Sequence, residues 1–181
     1  SAGPQSIGFD YQFLYFMILA LDLKTGEKVG FEVKDDIHIE RENGKIILFQ
    51  SKHTVLKSAD RSSINLTTLD SDLWKTLSNW ANMIKADASI LINTSFCLVT
   101  NKGEGNNQFI DALNLFKLES DINKVILIIK ELQDKAIDNG IKENIKNVIS
   151  LGKKKISSFL SNLTIETDIE DIIGKIKIKI F

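Results

Sequence analysis

The chain is poor in the residues that mark several functional classes. Cys97 is the one cysteine among 181 residues, so no intrachain disulfide can form. Its place in the apolar run Phe96-Cys97-Leu98-Val99 reads as a buried, inert thiol rather than a nucleophile. A chain without a disulfide framework fits a reducing, cytoplasmic setting. Two histidines, His38 and His53, share no ligand-type spacing with that cysteine, which argues against a zinc site. No Gly-x-Ser-x-Gly occurs, so a serine hydrolase of that kind has no support. The glycine-rich stretch Asn101-Lys102-Gly103-Glu104-Gly105 lacks the Walker spacing and reads as a loop, not a nucleotide cradle. The longest apolar run, 13–20, falls far short of the roughly 20 residues that cross a bilayer, and no basic segment precedes it as in a signal peptide. No membrane partner is therefore expected. A net charge of −1 argues against a free-standing nucleic-acid binder. It leaves a nuclease open, because a metal site gathers acids while DNA-holding lysines can occupy one face.

What is present is an ordinary globular composition, 43% hydrophobic and 26% charged, long enough for one domain with a real core. Residues 1–7 hold the only proline, Pro4, and read as a flexible lead. From 8 to 23 almost every position is apolar, which predicts a helix buried on all sides, with Asp10 and Gln12 as the polar exceptions near its start. Gln12, if buried, needs a partner that an active-site edge could supply. Two alternating segments, 29–41 and 45–53, predict a hairpin. A polar, mobile-looking segment, 54–69, carries Lys57 and Arg61. A helix follows over 71–87, started by Asp70 or Ser71, with Leu73, Trp74, Leu77, Trp80, Ala81 and Ile84 at helical spacing. The tryptophans read as core rather than as a base-stacking platform. A third strand is expected at 95–100, two or three amphipathic helices between 107 and 162, and a terminal strand in the alternating Lys175-Ile176-Lys177-Ile178-Lys179-Ile180. We thus expect a single domain over 1–181, a core with the hairpin at 1–101 and a helical remainder at 102–181, excised from something longer. Lys153-Lys154-Lys155 reads as helix decoration, with a DNA-backbone contact as the alternative.

The chemistry concentrates in the hairpin. Its first arm carries Glu32, Asp35 and Asp36, and its second ends Gln50-Ser51-Lys52. Side chains alternate along a strand, so Gln50 and Lys52 share a face roughly 7 Å apart. A carboxylate opposite them would complete a site for a hard cation, a water and a scissile phosphate. The link Glu42-Asn43-Gly44 allows two registers. A two-residue Asn-Gly turn sets Asp35 opposite Lys52. A three-residue loop, with Gly44 left-handed, sets Asp36 opposite Gln50. The second gathers Glu32, Asp36, Gln50 and Lys52 on one face and Val33, Ile37, Ile39, Ile47 and Phe49 on the other, and that segregation favours it.

Four motifs follow one another in the chain: Gly8-Phe9-Asp10-Tyr11-Gln12; Glu32 with Asp35-Asp36-Ile37; Phe49-Gln50-Ser51-Lys52-His53; and Leu73-Trp74-Lys75-Thr76-Leu77-Ser78-Asn79-Trp80. The series resembles the N-terminal double-stranded-DNA endonuclease domain of bacterial anti-phage effectors, the CBASS-associated nucleases of the PD-(D/E)XK superfamily. The likeness is carried before residue 101; the helical remainder matches in outline. The resemblance implies a restriction-endonuclease-like, three-layer α/β domain around a small mixed sheet, cutting double-stranded DNA with Mg²⁺, or Mn²⁺ in its place. By position Asp36 would be the metal-binding acid and Gln50 would stand where the superfamily has its second acid. Lys52 would be the catalytic lysine, Ser51 would offer its carbonyl to the metal, and Gln12 and Glu32 would sit at the edge. A neutral amide holds a cation more weakly than a carboxylate, so tighter binding would await DNA phosphate or another acid. In that family a sensory domain binding a cyclic oligonucleotide follows the nuclease, and 181 residues leave no room for one. Expected partners are therefore duplex DNA, further copies of the chain, or a fused or associated sensor or motor component. The rival reading is a catalytically silent module for nucleic-acid binding or oligomerisation in a defence complex.

Overall fold

In a computed structural model the described residues are 4–31, 36–52 and 64–168, with side chains described from 13 onward except at 31 and 36. They form a mixed α/β fold of seven helices and a five-stranded sheet. The chain divides into two compact units that interleave in sequence. One comprises Ser1–Asn65, Thr94–Gly103 and Thr164–Phe181; the other comprises Leu66–Asn93 and Glu104–Leu163.

The first unit starts with α1 (Pro4–Leu21), which begins within the expected flexible lead. Proline suits a first helical position, where its missing N–H would have had no partner. The helix is not buried all round, as its sequence predicted. Tyr15 and Ile18 are buried, whereas Phe13 and Leu21 are 49% and 46% exposed. A helix on the face of one sheet buries only the side it turns to that sheet. That side meets Ile37, Ile39, Phe49, Cys97 and Val99, the Tyr15 ring standing edge-on to Phe49 at 5.9 Å. Cys97 is a buried free thiol, as expected.

The strands are β1 (Lys28–Phe31), β2 (Asp36–Glu40), β3 (Ile46–Lys52), β4 (Thr94–Thr100) and β5 (Leu163–Glu166), in that order across the sheet. β1 runs antiparallel to β2, β2 antiparallel to β3, and β3 parallel to β4. The segment 29–41, expected as one strand, is thus two antiparallel strands, Phe31 pairing with Ile37 and Val29 with Ile39. A period of two looks the same before and after a reversal, and the turn-compatible residues of 32–36 were the aspartates already assigned to chemistry. The hairpin between β2 and β3 has the three-residue loop. Arg41 N–H donates to the Lys45 carbonyl at 2.8 Å, and Gly44 N–H donates to the Arg41 carbonyl at 2.9 Å. Gly44 has φ 76°, the left-handed conformation glycine adopts without strain.

In the second unit α2 (Ser71–Ala86) runs as its periodicity predicts, its first amides capped by the Asp70 carboxylate. Trp74 and Trp80 are core residues, packed against Phe109 at 5.0 Å and Phe159 at 6.3 Å. A short α3 (Ile90–Asn93) leads into β4. Four further helices are described where two or three were expected: α4 (Gln108–Glu119), α5 (Ile122–Lys135), α6 (Asn139–Ile149) and α7 (Lys153–Ser161). Asn107, Asp121 and Asp138 cap the first three, and these single-residue boundaries are what divide one long apolar periodicity into separate helices. β5 had no counterpart in the reading of the sequence, and the terminal strand expected at 175–180 lies outside the described residues. The end of the segment expected to be mobile is tied down instead. Leu66 is buried, and the Asn107 side-chain amide donates to the Leu66 and Thr67 carbonyls at 3.0 and 3.1 Å. Residues 53–63, with His53, Lys57 and Arg61, lie outside the described residues.

Candidate functional site

Register builds the site. β3 is the sheet's central strand, flanked by an antiparallel neighbour on one side and a parallel one on the other. Asp36 pairs directly with Gln50 across the first boundary, as the three-residue loop requires. Directly opposed residues in such a pair have Cβ atoms about 4.5–5.5 Å apart and project to one face. Across the second boundary Gln50 pairs with Leu98 and Lys52 with Thr100. One face of the sheet therefore carries Asp36, Gln50, Lys52 and Thr100, and the opposite face carries Ile37, Ile39, Ile47, Phe49, Cys97 and Val99 beneath α1. The predicted segregation holds for every described member of the two sets.

Burial sharpens the picture. Gln50 is 5% exposed, Ser51 2% and Thr100 fully buried, while Lys52 is half-buried at the strand end. Lys102, two residues past β4, is 9% exposed. Burying a polar group costs free energy unless its hydrogen bonds are met, so four such residues together at the C-terminal ends of a parallel strand pair are unusual. In open α/β sheets that end is where ligands bind. The loop that holds Lys102 is fixed from three directions. Lys102 N–H donates to the Thr100 hydroxyl at 3.2 Å, its carbonyl accepts from Asp168 N–H at 2.9 Å, and Gly103 N–H donates to the Ile64 carbonyl at 3.0 Å. Thr100 and Lys102 were missed in the sequence because the strand was taken to end at residue 100. Carrying the alternation Leu98, Thr100, Lys102 one step further finds them.

The remaining expected site residues are placed as follows. Gln12 lies in α1, one helical turn before Tyr15, and its side chain is outside those described. Glu32 and Asp35 lie outside the described residues, as does the side chain of Asp36. His38 is cross-strand from Gly30, its ring over the glycine and its Nε2 3.8 Å from a Glu40 carboxylate oxygen. Among the described residues no group of three or more histidine, cysteine, aspartate or glutamate side chains could hold a metal ion. The donors that the register places together are Asp36, the Gln50 amide oxygen and the adjacent Ser51 carbonyl. All are hard oxygens, a set that suits Mg²⁺ with several waters or phosphate oxygens retained.

The larger surface depression, about 450 Å³, lies at the other end of the sheet and is lined by Lys24, Thr25, Glu27, Arg41, Glu42 and Asn43. Its charges pair with one another, Arg41 lying 3.8 Å from Glu27, so it does not compete with the strand ends as a site. Lys153, Lys154 and Lys155 occupy the first turn of α7, the first two exposed. Among the described residues no helix is long and apolar enough to cross a membrane.

No family model and no curated protein matches the chain. Among solved structures it is similar to the Moraxella osloensis Cap4 SAVED/CARF-domain containing receptor, with a TM-score of 0.52 and 15% identity over 96% of this chain. The chain spans 37% of that receptor's length. At this identity the likeness is one of fold.

Proposed function

We propose that the chain is a metal-dependent nuclease that hydrolyses phosphodiesters of double-stranded DNA, acting in the cytoplasm as part of a bacterial anti-phage defence effector. The observation that carries the reading is the pairing of Asp36 with Gln50, with Lys52 on the same face at the strand end. It is the register the four sequence motifs call for, and it assembles an acid, an amide oxygen and an ammonium in the order expected of a restriction-endonuclease-like site. The likeness to a Cap4 receptor supports the defence setting, since the motif series resembles the nuclease part of such effectors. Covering 37% of that receptor, the chain would work with a sensor or further domain, or with other copies of itself.

Asp36, Gln50 and the Ser51 carbonyl would hold Mg²⁺, or Mn²⁺ in its place. When bound, the ion supplies charge that polarises the phosphate and lowers the pKa of water. The protein's own residues do the rest. Gln50, buried between two strands, fixes the donor geometry from rigid backbone rather than from a loop. Lys52 orients the attacking water and stabilises the charge that develops on phosphorus. Attack by water needs no covalent intermediate. The amide at position 50 and the net charge of −1 favour one second reading, a silent relative that holds DNA without cutting it.

Plasmid degradation tests the proposal. Cleavage in Mg²⁺, its absence in chelator and a loss of 100-fold or more in Lys52→Ala are expected, a step roughly the size of removing one charge-stabilising group. Salt-sensitive binding without cleavage, even by the full-length protein, would instead establish the silent module.

A further inference from the structure

Resting on the nuclease reading, we propose that Lys102 is a second phosphate-holding cation of the site, gripping the DNA backbone beside the phosphate that Lys52 serves. Three observations carry it. First, lysine is almost never this deeply buried without an anionic counterpart, and Lys102 is 9% exposed. Second, its position continues the site: Lys52 lies beside Thr100 in the parallel register, and Lys102 follows Thr100 by two residues, the spacing that keeps strand positions on one face. Third, its backbone is held by the Thr100 hydroxyl, by Asp168 and, through Gly103, by Ile64, so the ammonium is delivered from a fixed loop. One DNA strand carries a charge about every 3.4 Å of axis, so cations on adjacent strand ends reach neighbouring phosphates. A chain with net charge −1 depends on such local cations to hold a polyanion.

The experiment compares the parent chain with Lys102→Met, Lys102→Arg and Lys52→Ala. Binding of a labelled 20-base-pair duplex is followed by anisotropy in Ca²⁺ across a salt series, cleavage is followed in Mg²⁺, and thermal melting checks the fold. For Lys102→Met we expect duplex affinity to fall roughly tenfold or more. The slope of log affinity against log salt should shrink by about 0.9. KM should rise with kcat nearly unchanged, and Lys102→Arg should restore binding. Lys52→Ala instead loses kcat. A parent that binds without cleaving, alongside a Lys102→Met that loses binding, upholds Lys102 and removes the nuclease reading. A Lys102→Met that melts, binds and cleaves like the parent overturns the Lys102 proposal and leaves the nuclease reading standing. A parent that neither binds nor cleaves overturns both. If Lys102→Met does not fold, amine labelling of the parent decides: protection of Lys102 by the duplex supports the proposal, and protection of Lys52 alone overturns it.

Discussion

Replacing Gly30 by alanine is a sharp test of the sheet that frames the site. An ideal Cβ at this position would lie 2.2 Å from Cε1 and 2.6 Å from Nε2 of His38, far inside van der Waals contact. Gly30 is not among the glycines with positive φ, so its backbone would accept alanine. Were space free, the substitution would stabilise by about 0.4–1 kcal/mol through the unfolded chain. Overpacking of this kind costs about 1–3 kcal/mol, and the imidazole can give way in part, so the net loss should be about 1–2 kcal/mol. Removing the ring first reverses the sign: in a His38→Ala background, Gly30→Ala becomes neutral or stabilising. The double-mutant cycle should therefore show a coupling of about 1–3 kcal/mol. Urea unfolding of the four proteins reads it directly, with the midpoint moving and the slope constant. Additive effects, or a Gly30→Ala as stable as the parent, would show that β1 does not pair with β2 through Gly30 and His38.

Other substitutions probe separate links. Gly44→Ala puts a side chain at φ 76° with no atom within 4 Å, so the loss is backbone strain alone, about 1–2 kcal/mol in urea unfolding, and Gly44→Asn should lose less. Asn107→Ala removes the α4 cap and strips the Leu66 and Thr67 carbonyls of their donor. A cost of about 2–4 kcal/mol is expected, with amide protection lost at the start of α4. Hydrogen bonds from the Ser89 hydroxyl and then the Ser89 amide hold the Asp87 carboxyl below its ordinary value of 3.8. This contribution is present above the ordinary carboxylate range and fades as pH falls through the lowered value. Carboxyl NMR of Ser89→Ala should show Asp87 titrating nearer the ordinary value.

How much of this was legible depended on what signal each element leaves. The helix at 71–86 announced itself by period and cap, and the β2–β3 register followed from Asn43-Gly44 together with the segregation of Ile37, Ile39, Ile47 and Phe49 from Gln50 and Lys52. The reversal between β1 and β2 was hidden because alternation carries no direction. The partial exposure of α1 was hidden because an apolar helix records what could be buried, not how much partner surface exists. Thr100 and Lys102 come beside Lys52 only through the parallel pairing of β3 with β4, separated in sequence by α2, and no local pattern reports such a contact.

The central claim is that Asp36, set opposite Gln50, supplies the acid of a Lys52-dependent site. Mg²⁺-dependent cleavage of a duplex by Asp36→Asn beside Asp35→Asn tests it most directly, with melting curves to confirm folding. Cleavage lost in Asp36→Asn and retained in Asp35→Asn is the predicted result. Loss in Asp35→Asn with Asp36→Asn still active would contradict the register as the basis of the site.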